Sequence, residues 1–219
     1  MEFREFLRKQ EEVYNQFRDI SKLEIEGTKP NIPNSQGGYL IAFRHPSEIT
    51  QKIDGFSRRI SQVVPIMVYD SATIHTTISD LDVRENFTPQ KEILNRLTNS
   101  VREVVIIDKP TISYSEWLYN QNTVIVAGVP NQIFSKVSQD VYSSGEKNGV
   151  KLRLPWGAHI TADRFTEEKN PKELKDFFKL MKEAPVLGES IPENIDVAYF
   201  DFSPRGFKIT TYERFSLNK

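Results

Sequence analysis

The triplets His75-Thr76-Thr77 and His159-Ile160-Thr161 each place an imidazole and a hydroxyl two residues apart, and together they use two of the chain's three histidines. In a strand, residues two apart point to the same face, so each triplet would present both groups side by side. Two such presentations across one cleft suit displacement at phosphorus. One neutral imidazole takes the proton of an attacking water or hydroxyl; the other, as imidazolium, protonates the departing oxygen. The ordinary histidine pKa of about 6.5 puts both states within reach near neutrality. The hydroxyls of Thr77 and Thr161 would donate to the non-bridging oxygens as charge shifts in the transition state.

A lone strand histidine beside a threonine more often serves packing; recurrence at equivalent places is what favours catalysis. Zinc is the rival use, but three protein ligands are usual and neither a third histidine nor an H-x-x-x-H spacing accompanies the pair. Asp80 and Asp163 are possible carboxylate ligands that read more simply as turn residues. His45, beside Arg44 and Pro46 with no threonine two residues on, reads as a surface residue. The expectation is chemistry without metal or cofactor.

The elements that must position the triplets repeat. His75 and His159 lie 84 residues apart (159 − 75), and the same offset aligns Ile41 with Ile125, Pro46 with Pro130, Ile49 with Ile133 and Thr77 with Thr161. The first unit reads as a strand Tyr39–Phe43, a Pro46-led helix with Ile49, Ile53, Phe56 and Ile60 on one face, and strands Val64–Tyr69 and Thr73–Ser79. The second reads as a strand Thr123–Gly128, a helix from Pro130 to Ser144, and strands Val150–Leu154 and Ala158–Ala162. This predicts a duplication with two pseudo-equivalent lobes, roughly 37–112 and 123–195, completed by C-terminal strands within 196–215. A helix over Pro89–Val101, an extended stretch Val104–Ile112, a strand end with a turn over Tyr114–Asn122 and a helix over Pro171–Lys182 fill the remainder. Ahead of them, residues 1–36 hold an amphipathic helix from Glu2 to about Leu23 and a Gly/Pro-rich linker; the mixed charges on its polar face favour packing on the main domain over a membrane or partner.

Composition bounds the partners. Twenty-nine Lys and Arg against 30 Asp and Glu argue against wrapping long duplex nucleic acid, and leave room for a small anion in a local basic pocket. With no cysteine, disulfides and thiolate chemistry are excluded, which fits a reducing compartment. No apolar run approaches the roughly 20 residues that span a bilayer, and the charged N-terminus lacks a signal peptide's apolar core, so the cytosol is the expected location.

At the paired H-x-T motifs, at His159-Ile-Thr-Ala-Asp-Arg164 and in the duplicated layout, residues 37–215 resemble the two-histidine phosphoesterase superfamily, which includes RNA 2′-5′ ligase-like proteins and 2′,3′-cyclic nucleotide phosphodiesterases. The resemblance implies an α+β, bilobal pseudo-twofold fold, with two mainly antiparallel sheets lining a central cleft and helices outside. It implies metal-independent catalysis by His75, Thr77, His159 and Thr161 on a 2′,3′-cyclic phosphate or a 2′-5′ or 3′-5′ phosphodiester, in RNA ends, small nucleotides or cyclic oligonucleotides; a monomer is the expected state. One branch, phage proteins that destroy cyclic oligonucleotide signals of bacterial immunity, holds bases with aromatic rings. Tyr39, Trp117 and Trp156 are the candidates here, with packing the competing role, and Arg164 is the candidate phosphate ligand, with a surface ion pair as its competitor. A nucleotide- or RNA-end-binding module without turnover is the alternative function. The chain departs from the common pattern in its N-terminal helix, in the Tyr114–Asn122 segment and in Thr76, where an apolar residue is more usual; Thr76 should face away from the site.

Overall fold

The fold follows from where apolar residues run continuously and where they recur every three or four positions. In a computed structural model that describes residues 2–104 and 108–217, the elements are α1 (Phe3–Arg18), α2 (Ser21–Glu26), β1 (Gln36–Arg44), α3 (Ser47–Ser61), β2 (Ile66–Val68), β3 (Thr76–Glu85), α4 (Lys91–Arg102), β4 (Ile112–Tyr119), β5 (Thr123–Pro130), α5 (Gln132–Lys147), β6 (His159–Phe165), a 3₁₀ turn (Pro171–Leu174) leading into α6 (Lys175–Met181), β7 (Gly188–Ser190), β8 (Asn194–Ser203) and β9 (Gly206–Ser216). The chain is α+β, as expected. Strand order is β7-β4-β5-β6-β3-β1-β8-β9, with β2 added to β6.

Outward from the centre, the two halves repeat: β6-β5-β4-β7 on one side, β3-β1-β8-β9 on the other. All pairings are antiparallel. The two expected sheets therefore exist, but they meet. Their central strands pair at Thr76↔Ile160, the middle residues of the two triplets. Both C-terminal strands join the β1–β3 half; β7 completes the other.

The lobes expected as 37–112 and 123–195 exchange parts. Helix α3 leaves β1 and packs on the opposite half, where its Phe56 stands edge-on to Trp117 of β4 at 4.8 Å between ring centres. Helix α5 leaves β5 and returns the exchange, its Phe134 lying 5.8 Å from Phe43 of β1. Short β2 pairs with β6, and the segment equivalent to it, expected as a strand over Val150–Leu154, touches β3 through one bridge, Asp80↔Arg153.

Other differences from the sequence expectations have local causes. The first helix breaks at Asp19–Ile20 into α1 and α2. The strand expected from Thr73 starts at Thr76, because the Asp70 carboxylate accepts from the Ala72 and Thr73 amides and turns the chain. Tyr114–Tyr119 is fully strand, and the turn comes at Asn120, whose side chain accepts from the amides of Asn122 and Thr123. Of the extended stretch Val104–Ile112, residues 105–107 lie outside the described residues, and Ile112 opens β4. No helix among the described residues is long and apolar enough to cross a membrane.

Candidate active site

Along both triplets the burial alternates: His75, Thr77, His159 and Thr161 are half-buried, while Thr76 and Ile160 between them have no exposed surface. That is the two-residue period of a strand with one face open. The antiparallel pairing Thr76↔Ile160, carried one residue either way, sets His75 opposite Thr161 and Thr77 opposite His159. All four side chains line one cleft of about 470 Å³, a size that suits a small ligand.

The two imidazoles are held alike. Nδ1 of His75 donates to the Thr73 carbonyl at 2.6 Å, and Nδ1 of His159 donates to the Gly157 carbonyl at 3.3 Å. Thr73 and Gly157 are themselves 84 residues apart. With Nδ1 carrying the hydrogen, Nε2 is the basic nitrogen of each ring. Burial pushes His75 down to about 4 and His159 down to about 3, the latter helped by the charges of His75 and Arg164. Both are neutral in the free cleft at pH 7. Each ring keeps an edge open to the cleft, where a bound anion would favour its charged form.

Arg164 lines the same cleft. Its Nε donates to the Tyr69 hydroxyl at 3.0 Å, and its guanidinium lies 5.0 Å from the Phe202 ring centre. Among the described residues it pairs with no carboxylate, so it is not the surface ion pair that competed for it. The 84-residue offset puts Asp80 where Arg164 stands and Arg153 where Tyr69 stands, and those two form an ion pair at the cleft edge. Asp80 is thus a mid-strand cleft residue, not a turn.

Of the three aromatic candidates, one reaches the cleft. Tyr39 is buried edge-on to Phe87, its hydroxyl accepting from the Gln90 amide. Trp117 is buried against Phe56 and donates to the Pro185 carbonyl. Both are core residues, Tyr39 covered by the segment Phe87–Gln90 ahead of α4 and Trp117 by α3. Trp156 lines the cleft, yet its face lies on His159, with ring centres 3.9 Å apart. The rings that sequence reasoning missed are Phe200, Phe202 and Phe207 of the β8–β9 hairpin, together with Tyr69. Phe207 stacks on Tyr69 at 4.6 Å and lies 6.1 Å from His75. Their signal was present: Phe200 and Phe202 are two apart, and Phe202 pairs directly with Phe207.

Behind the triplets lies a polar cluster. His45 is buried, not a surface residue: its Nδ1 meets Ser190 Oγ at 2.8 Å and its Nε2 meets Thr76 Oγ1 at 3.0 Å. Thr76 Oγ1 also meets Tyr114 Oη at 2.6 Å and donates to the His159 carbonyl at 3.2 Å. One proton arrangement satisfies every group: Ser190 donates to Nδ1, Nε2–H and Tyr114 donate to Thr76, and Thr76 donates to His159. Burial, reinforced by the charges of His75 and Arg44, pushes His45 down to about 3, consistent with that neutral tautomer. Thr76 faces away from the cleft as expected. Asp163 also points away, buried beneath α3 and accepting from Ser57 at 3.0 Å, so it is no turn residue. Among the described residues no three His, Cys, Asp or Glu side chains are grouped to hold a metal.

No family model matches the sequence, and no curated protein matches it significantly. Solved structures do. TT0787 of Thermus thermophilus is 16% identical with a TM-score of 0.57, over 82% of this chain and 97% of that one. LigT of E. coli complexed with 3′-AMP is 15% identical with a TM-score of 0.56, over 84% of this chain and 99% of that one. The chain has the LigT fold. A structure described as a phosphoesterase, 16% identical with a TM-score of 0.53, is covered whole by 85% of this chain. The LigT fold thus fits within this chain, which carries further segments of its own.

Proposed function

We propose that the chain is a metal-independent phosphodiesterase that opens a 2′,3′-cyclic phosphate or cleaves a 2′-5′ or 3′-5′ phosphodiester in RNA ends, small nucleotides or cyclic oligonucleotides. The observation that carries this reading is the matched pair of imidazoles in one cleft, each with Nδ1–H tied to the carbonyl two residues upstream and a threonine hydroxyl beside it. The solved LigT complexes with 3′-AMP, ATP and NADP+ support a nucleotide as the ligand class.

In hydrolysis, Nε2 of one histidine takes a proton from water as the water oxygen bonds to phosphorus. The bond from phosphorus to the 2′ or 3′ oxygen breaks, and Nε2–H of the other histidine protonates that oxygen. Thr77, Thr161 and the terminal amino groups of Arg164 hold the non-bridging oxygens, and the Phe200, Phe202 and Phe207 wall stacks a base. Because both imidazoles are neutral in the free cleft at pH 7, the acid gains its proton with the substrate: the phosphate's negative charge raises the pKa of the ring it touches.

The test is turnover of 2′,3′-cyclic mononucleotides, 2′-5′ dinucleotides and cyclic oligonucleotides, with products identified by mass. One class should be hydrolysed in the presence of EDTA, whereas prolonged incubation that leaves every ligand bound but intact would identify a binding module. The pH profile carries the sign of the shifts. Values of kcat/KM, which report the free protein, should fall as pH rises above about 4, because His75 and His159 are held down at about 4 and about 3. The fall in kcat should come at higher pH.

A further inference from the structure

We infer that helix α1 is a positioning element for His159, acting through Trp156 and the backbone just ahead of the histidine; this rests on His159 being an acid–base group. The face α1 turns inward is unusual for a helix that merely packs. Of its three buried residues, Phe6, Gln10 and Tyr14, two carry polar groups, and both use them at one place. The β5–β6 ladder ends at Ala127↔His159. One residue further out, Gln10 takes over: its Nε2 donates to the Gly128 carbonyl at 3.0 Å, and its Oε1 accepts from the Ala158 amide at 2.8 Å. The Tyr14 hydroxyl accepts from the Gly128 amide at 3.0 Å. Beyond this clamp, Tyr14 stands edge-on to Trp156 at 5.8 Å, and Phe17 lies nearly parallel to it at 6.3 Å. Trp156 in turn lies on His159.

The other half of the molecule performs the same task without a helix. By the 84-residue offset, Gly128 corresponds to Arg44, and Trp156 and Ala158 to Ala72 and Ile74. Arg44 reaches the carbonyls of Ala72 and Ile74 and is itself paired with Asp196. One strand residue thus braces the segment leading to His75. At Gly128 no side chain fits, since a Cβ there would lie 2.1 Å from the Ala158 carbonyl oxygen. The brace has been replaced by side chains arriving from α1, and they extend to the ring stacked on the histidine.

The decisive variant is Phe17→Ala, because Phe17 lies nearly parallel to Trp156 and does not line the cleft. NMR titration of the histidines in the free protein should show the His159 pKa moving up toward about 6.5, with His75 unmoved. With a hydrolysed 2′,3′-cyclic mononucleotide, kcat should fall roughly 10- to 100-fold, the scale set by misplacing a reacting group by about 1 Å, and KM should change less than about threefold. Trp156→Ala should behave alike, and Trp156→Phe should restore most of kcat. An unchanged His159 titration in both Phe17→Ala and Trp156→Ala overturns the inference. So does a loss in Trp156→Ala confined to KM, which would make Trp156 a substrate platform. Failure of the underlying reading looks different: His159→Ala would retain full activity, while the titration would still report whether α1 sets the ring.

Discussion

The His75 and His159 halves of the cleft present the same imidazole and threonine pair and differ in nearly everything around it. Each imidazole donates through Nδ1 to an equivalent carbonyl. Yet His75 faces the aromatic β8–β9 hairpin, and His159 lies under Trp156. Thr76 joins a buried polar cluster where its counterpart Ile160 is apolar. Asp163, buried with one oxygen unpartnered, stands where the other half has Ser79, which is satisfied by the Arg153 carbonyl. The placement of the two imidazoles is duplicated, while the groups that support them differ between the halves.

The largest expected effect tests the equivalence itself. His75→Ala and His159→Ala should each lower kcat by about 10² to 10⁴, the usual contribution of a positioned acid or base, with unchanged thermal melting. Equal losses would mark equivalent roles, and an unequal pair would show which half tolerates replacement by water. The buried carboxyl gives the next contrast. Burial pushes Asp163 up to about 8, so the folded chain keeps a proton that the unfolded chain releases near its ordinary pKa of about 3.9. Asp163 by itself lowers stability as pH rises from about 4 to about 8, whereas His45, His75 and His159, held down at about 3 to about 4, raise it up to about 6.5. Between about 6.5 and about 8 the Asp163 slope stands alone, so stability should fall there in urea melts and Asp163→Asn should flatten the fall. An unaltered slope would place the titration elsewhere. The smallest effect concerns the walls. Phe207→Ala should raise KM by roughly tenfold, as expected for losing a base stack of about 1 to 3 kcal/mol, and should leave kcat nearly alone, the reverse of the Trp156 variants.

The site was legible where it depends on local period. Two H-x-T triplets in strands of one duplicated unit gave the four cleft-facing residues and the inward turn of Thr76, because strand alternation decides both. Arg164 was legible only through the H-x-T-x-x-R resemblance: strict alternation from His159 and Thr161 would turn Asp163 into the cleft, and the register shift of β6 on β5 between Thr161 and Asp163 is what brings Arg164 there instead. Tyr39 and Trp117 were misread because a ring's face depends on what covers the strand, and the covers, Phe87 and Gln90 ahead of α4 for one and Phe56 of α3 for the other, lie about 50 to 60 residues away in sequence. His45 was misread because its partners, Ser190 and Thr76, arrive from 145 and 31 residues away. The N-terminal helix was legible as an element from its apolar spacing, but its contact with Trp156 spans too much sequence for any local pattern.

The exchange of α3 and α5 bears on how such a chain folds. A single unit of strand, helix and two strands has its helix directed away from its own sheet and its short strand paired to a neighbour. Alone, that unit would leave the apolar face of its helix in water, and it could close its core only around a second copy. Neither half therefore closes a core by itself, and the two should unfold in one cooperative transition.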